Sequence, residues 1–246
     1  MMPGRLLAVL ERYVTLTPED RIVVEEVLCE VRQAPADAEL VVDGDPSTEC
    51  LVLLEGQAFR HKTLPDGRRQ ILGFLVPGDV LDLPRLFMGV DYGVTALTAC
   101  QIAPIPRGRI EDILAAHPRL ARAFWRMQLV EAAIQREWMI GMGRRSAYAR
   151  VAHLLCEAFL RLRNVGMTHG ARCRFPVTQN HLADAAGLSG VHTNRVLQSL
   201  RQNDLIAFRA RELVVLDWPG LFAAAEFDPN YLHLPAEPLQ RTKVTV

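Results

Sequence analysis

The chain has 246 residues, half of them apolar, with 28 basic and 28 acidic side chains in formal balance and a pI near 7.1. That length allows one large domain or two modest ones, each with its own core, and the balance of residue types is that of a soluble globular protein. No apolar run approaches the roughly 18 residues that read as a membrane span, and Met1-Met2-Pro3-Gly4-Arg5 lacks the features of a secretory signal.

Cys29, Cys50, Cys100, Cys156 and Cys173 are scattered, with no Cys-x-x-Cys pair. Neither a disulfide framework nor a structural zinc site is expected from this spacing, and a reducing cytoplasm fits it best. The neutral total hides a division. Residues 1–142 hold 15 basic and 20 acidic side chains, whereas residues 144–217 hold 11 basic and 5 acidic ones. Such asymmetry suggests a polyanion as partner of the C-terminal part alone, although surface composition can drift this far by chance.

Thr17-Pro18-Glu19-Asp20 carries a capping hydroxyl, a proline for the first helical position and acids that suit the helix dipole, so a helix is expected to about Cys29. Between Glu39 and Arg107 the texture changes. Short apolar runs (Cys50–Leu54, Ala58–Thr63, Gln70–Val76 and Val94–Ile105) alternate with turn signals such as Glu55-Gly56, Pro77-Gly78-Asp79 and Asp91-Tyr92-Gly93. This spacing predicts an antiparallel sandwich or jelly roll, with Leu64-Pro65-Asp66-Gly67-Arg68 as a hairpin tip.

After Arg107 the pattern is helical for nearly forty residues. Leu120, Phe124, Met127, Glu131, Ile134, Trp138 and Gly141 recur at steps of four and three, which fits a dimer seam interrupted by Glu131. A helix buried in a monomer's own core shows the same stripe. Length favours the dimer, because roughly 25 residues span about 37 Å, more than a small barrel covers. Leu120, Phe124, Met127, Ile134 and Trp138 are therefore the expected interface. Gly141-Met142-Gly143 is expected to break this helix, and Ser146 to cap the next, which runs to about Asn164.

Residues 176–216 carry the sharpest pattern. Thr178 caps a short helix over Gln179–Ala186, Gly187 supplies a left-handed turn, and Ser189 caps a second helix from Gly190 to about Asn203. The apolar pattern assigns Val191, Val196, Leu197 and Leu200 to its buried side and His192, Thr193, Arg195, Gln198, Ser199 and Gln202 to the outer one. Two short helices about a tight glycine turn form the DNA-reading helix-turn-helix, though structural bundles use such pairs too. Leu205–Leu216 then reads as a hairpin with Arg209 and Arg211 near its tip, a wing placed to touch phosphate.

Over nearly its full length the chain resembles the Crp/Fnr family of bacterial transcription regulators. The resemblance rests on Gly56, Pro77-Gly78-Asp79, Thr178-Gln179-Asn180-His181-Leu182-Ala183, Gly187-Leu188-Ser189, Asn194-Arg195-Val196-Leu197 and Leu205-Ile206, in that order. It implies an α+β fold: an N-terminal cyclic-nucleotide-binding-type β jelly roll over residues 1–117, a long dimerisation helix over 118–143, and a C-terminal winged helix-turn-helix over 144–225. A tail over 226–246 follows. The implied function is a homodimeric regulator that binds a two-fold-symmetric operator in double-stranded DNA, with RNA polymerase as a further partner if it activates.

Arg195 matches a base-reading arginine of the family, and its fork suits guanine. His192, Asn194 and position 191 are candidates for the same role; many members carry glutamate where this chain has Val191, so its operator is expected to differ. Thr178, Gln179, Ser189, Thr193, Gln198, Arg209 and Arg211 are candidates for phosphate contact.

No cofactor is implied. Cyclic-AMP-binding members use a Gly-Glu and an Arg-Ser pair, where this sequence has Leu81-Asp82-Leu83 and Tyr92-Gly93-Val94-Thr95, with no arginine at hand for a phosphate. Leu81, Asp82, Tyr92 and Thr95 remain candidates to line a pocket for some other small-molecule effector. No cysteine precedes Cys29, against an N-terminal iron–sulfur cluster, and haem ligation would fall to His61, His117 or cysteines. A cupin-type enzyme wants several histidines in the barrel, and residues 39–107 offer only His61. A signalling module that docks protein rather than DNA is the remaining rival.

Overall fold

In the computed structural model, which describes residues 4–46 and 48–234, the chain divides into two compact units, one up to Ala132 and one from Ala133 on. The first opens with α1 (Gly4–Glu11) and α2 (Pro18–Val27). The second of these starts where its cap is written. Thr17 Oγ1 accepts from the Asp20 N–H at 3.2 Å, the Asp20 carboxylate accepts from the Thr17 N–H at 2.9 Å, and Pro18 occupies a position that needs no amide hydrogen.

Seven strands follow: β1 (Arg32–Ala34), β2 (Glu39–Val41), β3 (Glu49–Glu55), β4 (Ala58–Thr63), β5 (Arg69–Leu75), β6 (Gly93–Ala96) and β7 (Cys100–Pro106). They form two antiparallel sheets, in orders β1-β7-β3 and β2-β6-β4-β5. The run Val94–Ile105, read as one strand, is split between β6 and β7 and so supplies both sheets. Alternation along β3 explains how the sandwich is held. Leu51 and Leu53 enter a cluster with Leu75, Leu81, Val94 and Ile102, drawn from both sheets. Cys50, Val52 and Leu54 point the other way, into a second cluster with Leu6, Leu10, Val24, Ile110 and Leu120. Gly56 makes the turn out of β3 at φ +92°, where a Cβ would stand 2.5 Å from the Ala99 carbonyl oxygen; only glycine fits.

Two helices close this unit: α3 (Arg107–Ala116) and α4 (Pro118–Arg144). The second has 27 residues, about 40 Å of axis, and continues through Gly141 and Gly143 rather than breaking there. The expected interface residues on it need correction. Leu120 and Phe124 are buried in the cluster with α1 and α2, and Met127 packs half-buried against it. Ile134 is buried too, and Trp138 donates its indole N–H to Glu157 at 3.1 Å. The stripe seen in the sequence is thus the face that the chain covers itself. Apolar residues left in solvent on α4 are others: Trp125 (68% exposed), Leu129 (62%), Met139 (74%), Ile140 and Met142. Glu131, the interruption, pairs with Arg60 of β4.

In the second unit, α5 (Ala147–Asn164) starts at Ser146, whose Oγ accepts from the Ala149 N–H at 3.1 Å. Around it lie β8 (Thr168–His169), β9 (Arg172–Arg174), α6 (Gln179–Ala186), α7 (Gly190–Gln202), β10 (Ile206–Arg209), β11 (Glu212–Val215) and α8 (Trp218–Ala225). The expected wing hairpin, β10–β11, belongs to a four-stranded sheet of order β10-β11-β9-β8. Buried polar groups fasten the segment after α8: Tyr231 donates to Glu157 at 2.7 Å, and His153 Nε2 lies 3.0 Å from the Tyr231 hydroxyl. Part of the region read as a tail is therefore packed, and residues 235–246 lie outside the described ones.

Candidate nucleic-acid interface

The turn between α6 and α7 is built by local chemistry. Thr178 Oγ1 accepts from the His181 N–H at 3.1 Å, and His181 Nδ1 accepts from the Thr178 N–H at 3.2 Å, a reciprocal cap with histidine in the usual glutamate place. Gly187 ends α6 at φ +61°. Ser189 then starts α7, its Oγ accepting from the His192 N–H at 3.2 Å. Gln179 Nε2 donates across the turn to the Gly190 carbonyl. Arg150 of α5 fixes the pair from below. Its guanidinium donates to the Ala186 carbonyl at the end of α6 and to the Gly141 carbonyl at 2.9 Å. Burial holds the Arg150 pKa below the ordinary arginine value.

On α7, Val196, Leu197 and Leu200 are buried as expected, and Arg195, His192 and Gln198 are exposed while Asn194 is half-buried. Two expectations are reversed. Thr193 is fully buried, at 0% exposure, and donates its hydroxyl to the Ser189 carbonyl at 3.1 Å, so it is no phosphate contact. Val191 is 66% exposed rather than buried. Helical spacing explains both: Thr193 stands three, four and seven residues before Val196, Leu197 and Leu200, whereas Val191 is out of phase with them and four before Arg195. No intramolecular bond restrains the Arg195 guanidinium among the described residues. With Ser146, Ala147 and Tyr148 from the start of α5, the outer side of α7 borders an open concavity of about 680 Å³.

Thr178, Gln179 and Ser189 are exposed at or beside the two helix starts. Arg209 and Arg211 are exposed on the wing, whose two-residue tip sets Ala210 at φ +51° and Arg211 at φ +65°. The phosphate candidates other than Thr193 thus share the second unit's surface with the outer side of α7.

In the first unit the effector candidates need correction as well. Leu81 and Asp82 are buried in the barrel rather than lining an open site. Asp82 Oδ1 accepts from the Leu51 N–H at 2.7 Å, and its other oxygen lies 2.8 Å from Arg85 Nε as an ion pair. Burial still pushes the Asp82 pKa up, against the pull of those partners. Tyr92, half-buried, donates to the Leu81 carbonyl at 3.1 Å, and Thr95 Oγ1 is 2.9 Å from His61 Nε2. No arginine was expected at this position, yet two arrive. Arg85 comes from the 3-10 turn Leu83–Leu86, and Arg60 from β4, where it lies 4.7 Å over the Tyr92 ring and pairs with Glu131. Burial opposes the Arg60 charge, and the Glu131 carboxylate more than offsets it, so its pKa is raised.

Cys50, Cys100, Cys156 and Cys173 are buried and free, their thiols pushed up by burial, Cys173 to about 12. Cys29 alone of the five is exposed. Among the described residues, no group of three His, Cys, Asp or Glu is placed to hold a metal ion, and no helix is long and apolar enough to cross a membrane.

These two units match two known domain types. Residues 31–117 fit the cyclic nucleotide-binding domain, and residues 149–224 the Crp-like helix-turn-helix domain. The transcriptional activator protein FnrL of Cereibacter sphaeroides is 30% identical over 207 residues, 81% of this chain and 82% of its own length. The nitrogen fixation regulation protein FixK of Bradyrhizobium diazoefficiens is 34% identical over 180 residues, 70% of this chain and 72% of its own. Among solved structures, FixK2 from Bradyrhizobium japonicum shares the fold with a TM-score of 0.70 at 24% identity, covering 79% of this chain and 96% of that one. Identity at this level over so much of both lengths reaches well beyond the helix-turn-helix, and the chain belongs to the Crp/Fnr family of transcription regulators.

Proposed function

We propose that two copies of the chain pair along α4 and present their α7 helices, about 34 Å apart, to successive major grooves of a two-fold-symmetric operator. Arg195 is the principal base reader, aimed at guanine, with His192, Asn194 and Val191 beside it. Thr178, Gln179, Ser189, Gln198, Arg209 and Arg211 hold phosphate and set the register. The observation that carries this reading is Arg195 itself: an arginine exposed on the outer side of a capped helix, with no bond to another described residue to hold it.

The pairing surface differs from the one read in the sequence. Trp125, Leu129, Ala132, Arg136, Met139 and Gly143 recur at steps of four and three along α4, and three of them, Trp125, Leu129 and Met139, are among the five large apolar residues of α4 that a lone chain would leave wet. In cytoplasm such a helix finds its own copy. The activator name of the relative FnrL supports RNA polymerase as a further partner. The two arginines near the effector position are already engaged, Arg60 by Glu131 and Arg85 by Asp82, which argues against a cyclic nucleotide as the effector.

Fluorescence anisotropy with cognate and scrambled duplexes tests the reading. Arg195→Ala is expected to cost roughly 1–3 kcal/mol on the cognate site and little on the scrambled one, whereas Arg209→Ala weakens both alike and lowers the salt dependence by about one counterion. Equal losses for the two variants on both duplexes would contradict the assignment. In sedimentation at micromolar concentration the wild type should run as a dimer and Leu129→Arg as a monomer; a dimer unaffected by that change would exclude this seam.

A further inference from the structure

The surface that α7 turns outward is polar except at one place. Among the described residues from Ala147 on, Val191 is the one large apolar side chain left exposed. It stands in the first turn of α7 and is not one of that helix's buried residues, Thr193, Val196, Leu197 and Leu200. Four residues on is Arg195, so the two side chains are neighbours on one helix side, roughly 5–6 Å apart at their Cβ atoms. Both border the concavity shared with Ala147. Adjacent base pairs are spaced about 3.4 Å along the helix axis, so a helix that places Arg195 on one pair carries Val191 to the next.

We infer that Val191 reads a thymine methyl group in the base-pair step beside the guanine that Arg195 contacts. Of the groups that the four bases present in the major groove, the C5 methyl of thymine is the apolar one. A valine there leaves no hydrogen-bonding group of its own unsatisfied and gains by covering that methyl. It gains nothing from the amino group of cytosine, which it would strip of water without replacing the bond. The half-site is thereby assigned a thymine next to the guanine, and 5-methylcytosine, which presents the same methyl, becomes its nearest substitute. This inference rests on α7 being the base-reading helix.

The test uses the full chain and a duplex selected from random sequence. Each thymine of the half-site is replaced in turn by uracil, which removes the methyl and nothing else, and affinity is read by anisotropy at fixed salt. At one position adjacent to an Arg195-sensitive guanine, uracil should weaken the wild type about fourfold, the worth of one buried methyl. Val191→Ala should shrink the thymine-to-uracil ratio at that position towards one and leave the ratios elsewhere unchanged. 5-Methylcytosine there should bind the wild type better than cytosine. A thymine-to-uracil ratio of one at every position, or a penalty that persists unchanged in Val191→Ala, overturns the inference while leaving the role of Arg195 standing. Failure to select any sequence, or indifference of the selected duplex to Arg195→Ala, strikes both together.

Discussion

Arg60 shows what a single side chain can decide. It is buried within the first unit, and its charge is tolerated only because Glu131 of α4 meets it while the Tyr92 ring lies under it. Removing one partner of a buried pair strands the other, at a cost of about 3–5 kcal/mol, whereas replacing both by apolar groups is often close to neutral. Arg60→Met should therefore lower the urea midpoint markedly, and Arg60→Met with Glu131→Leu should recover most of the loss. If the double variant is as unstable as the single one, the pair is not what holds that region. In the sequence, Glu131 is visible only as an interruption of an apolar stripe. Its partner lies 71 residues away, and no local pattern announces it.

At the scale of elements, what the sequence discloses follows from where the cause lies. The helix pair α6–α7 was legible because its signals are local: Thr178, Gly187 and Ser189 make their bonds within three or four residues. The strands β1, β8 and β9 are two or three residues long and exist because of their neighbours. On α4 there are two apolar faces, and periodicity alone does not say which one α1 and α2 will cover. The stripe through Leu120 and Phe124 was the covered one.

The turn of the wing places two non-glycine residues, Ala210 and Arg211, in the left-handed region, where each side chain is disfavoured by about 1–2 kcal/mol. Ala210→Gly should raise stability by up to about 1 kcal/mol, or a few degrees in Tm, while leaving Arg209 and Arg211 in place. A lowered Tm would mean that the tip is not a two-residue turn of this kind.

For the molecule as a whole, the acid limb of stability is set in part by His153. Burial, helped by the nearby positive Arg145, holds its pKa down at about 4 from an ordinary 6.5. Between those values the unfolded chain accepts a proton that the folded one refuses. The stabilisation is complete above about pH 7 and is lost progressively as pH falls toward 4, by on the order of 3 kcal/mol. Melting curves of the wild type at pH 7.5 and pH 5 should differ accordingly, and His153→Gln should flatten that part of the profile. An equal pH dependence in the variant would place the titrating group elsewhere.

Strand β3 has a consequence for how the first unit comes apart. Because its odd and even residues serve different apolar clusters, neither cluster can open while the other stays shut. Fraying from one side is thereby denied to the sandwich, and its amides at Leu51–Leu54 should exchange with deuterium only when the entire unit unfolds.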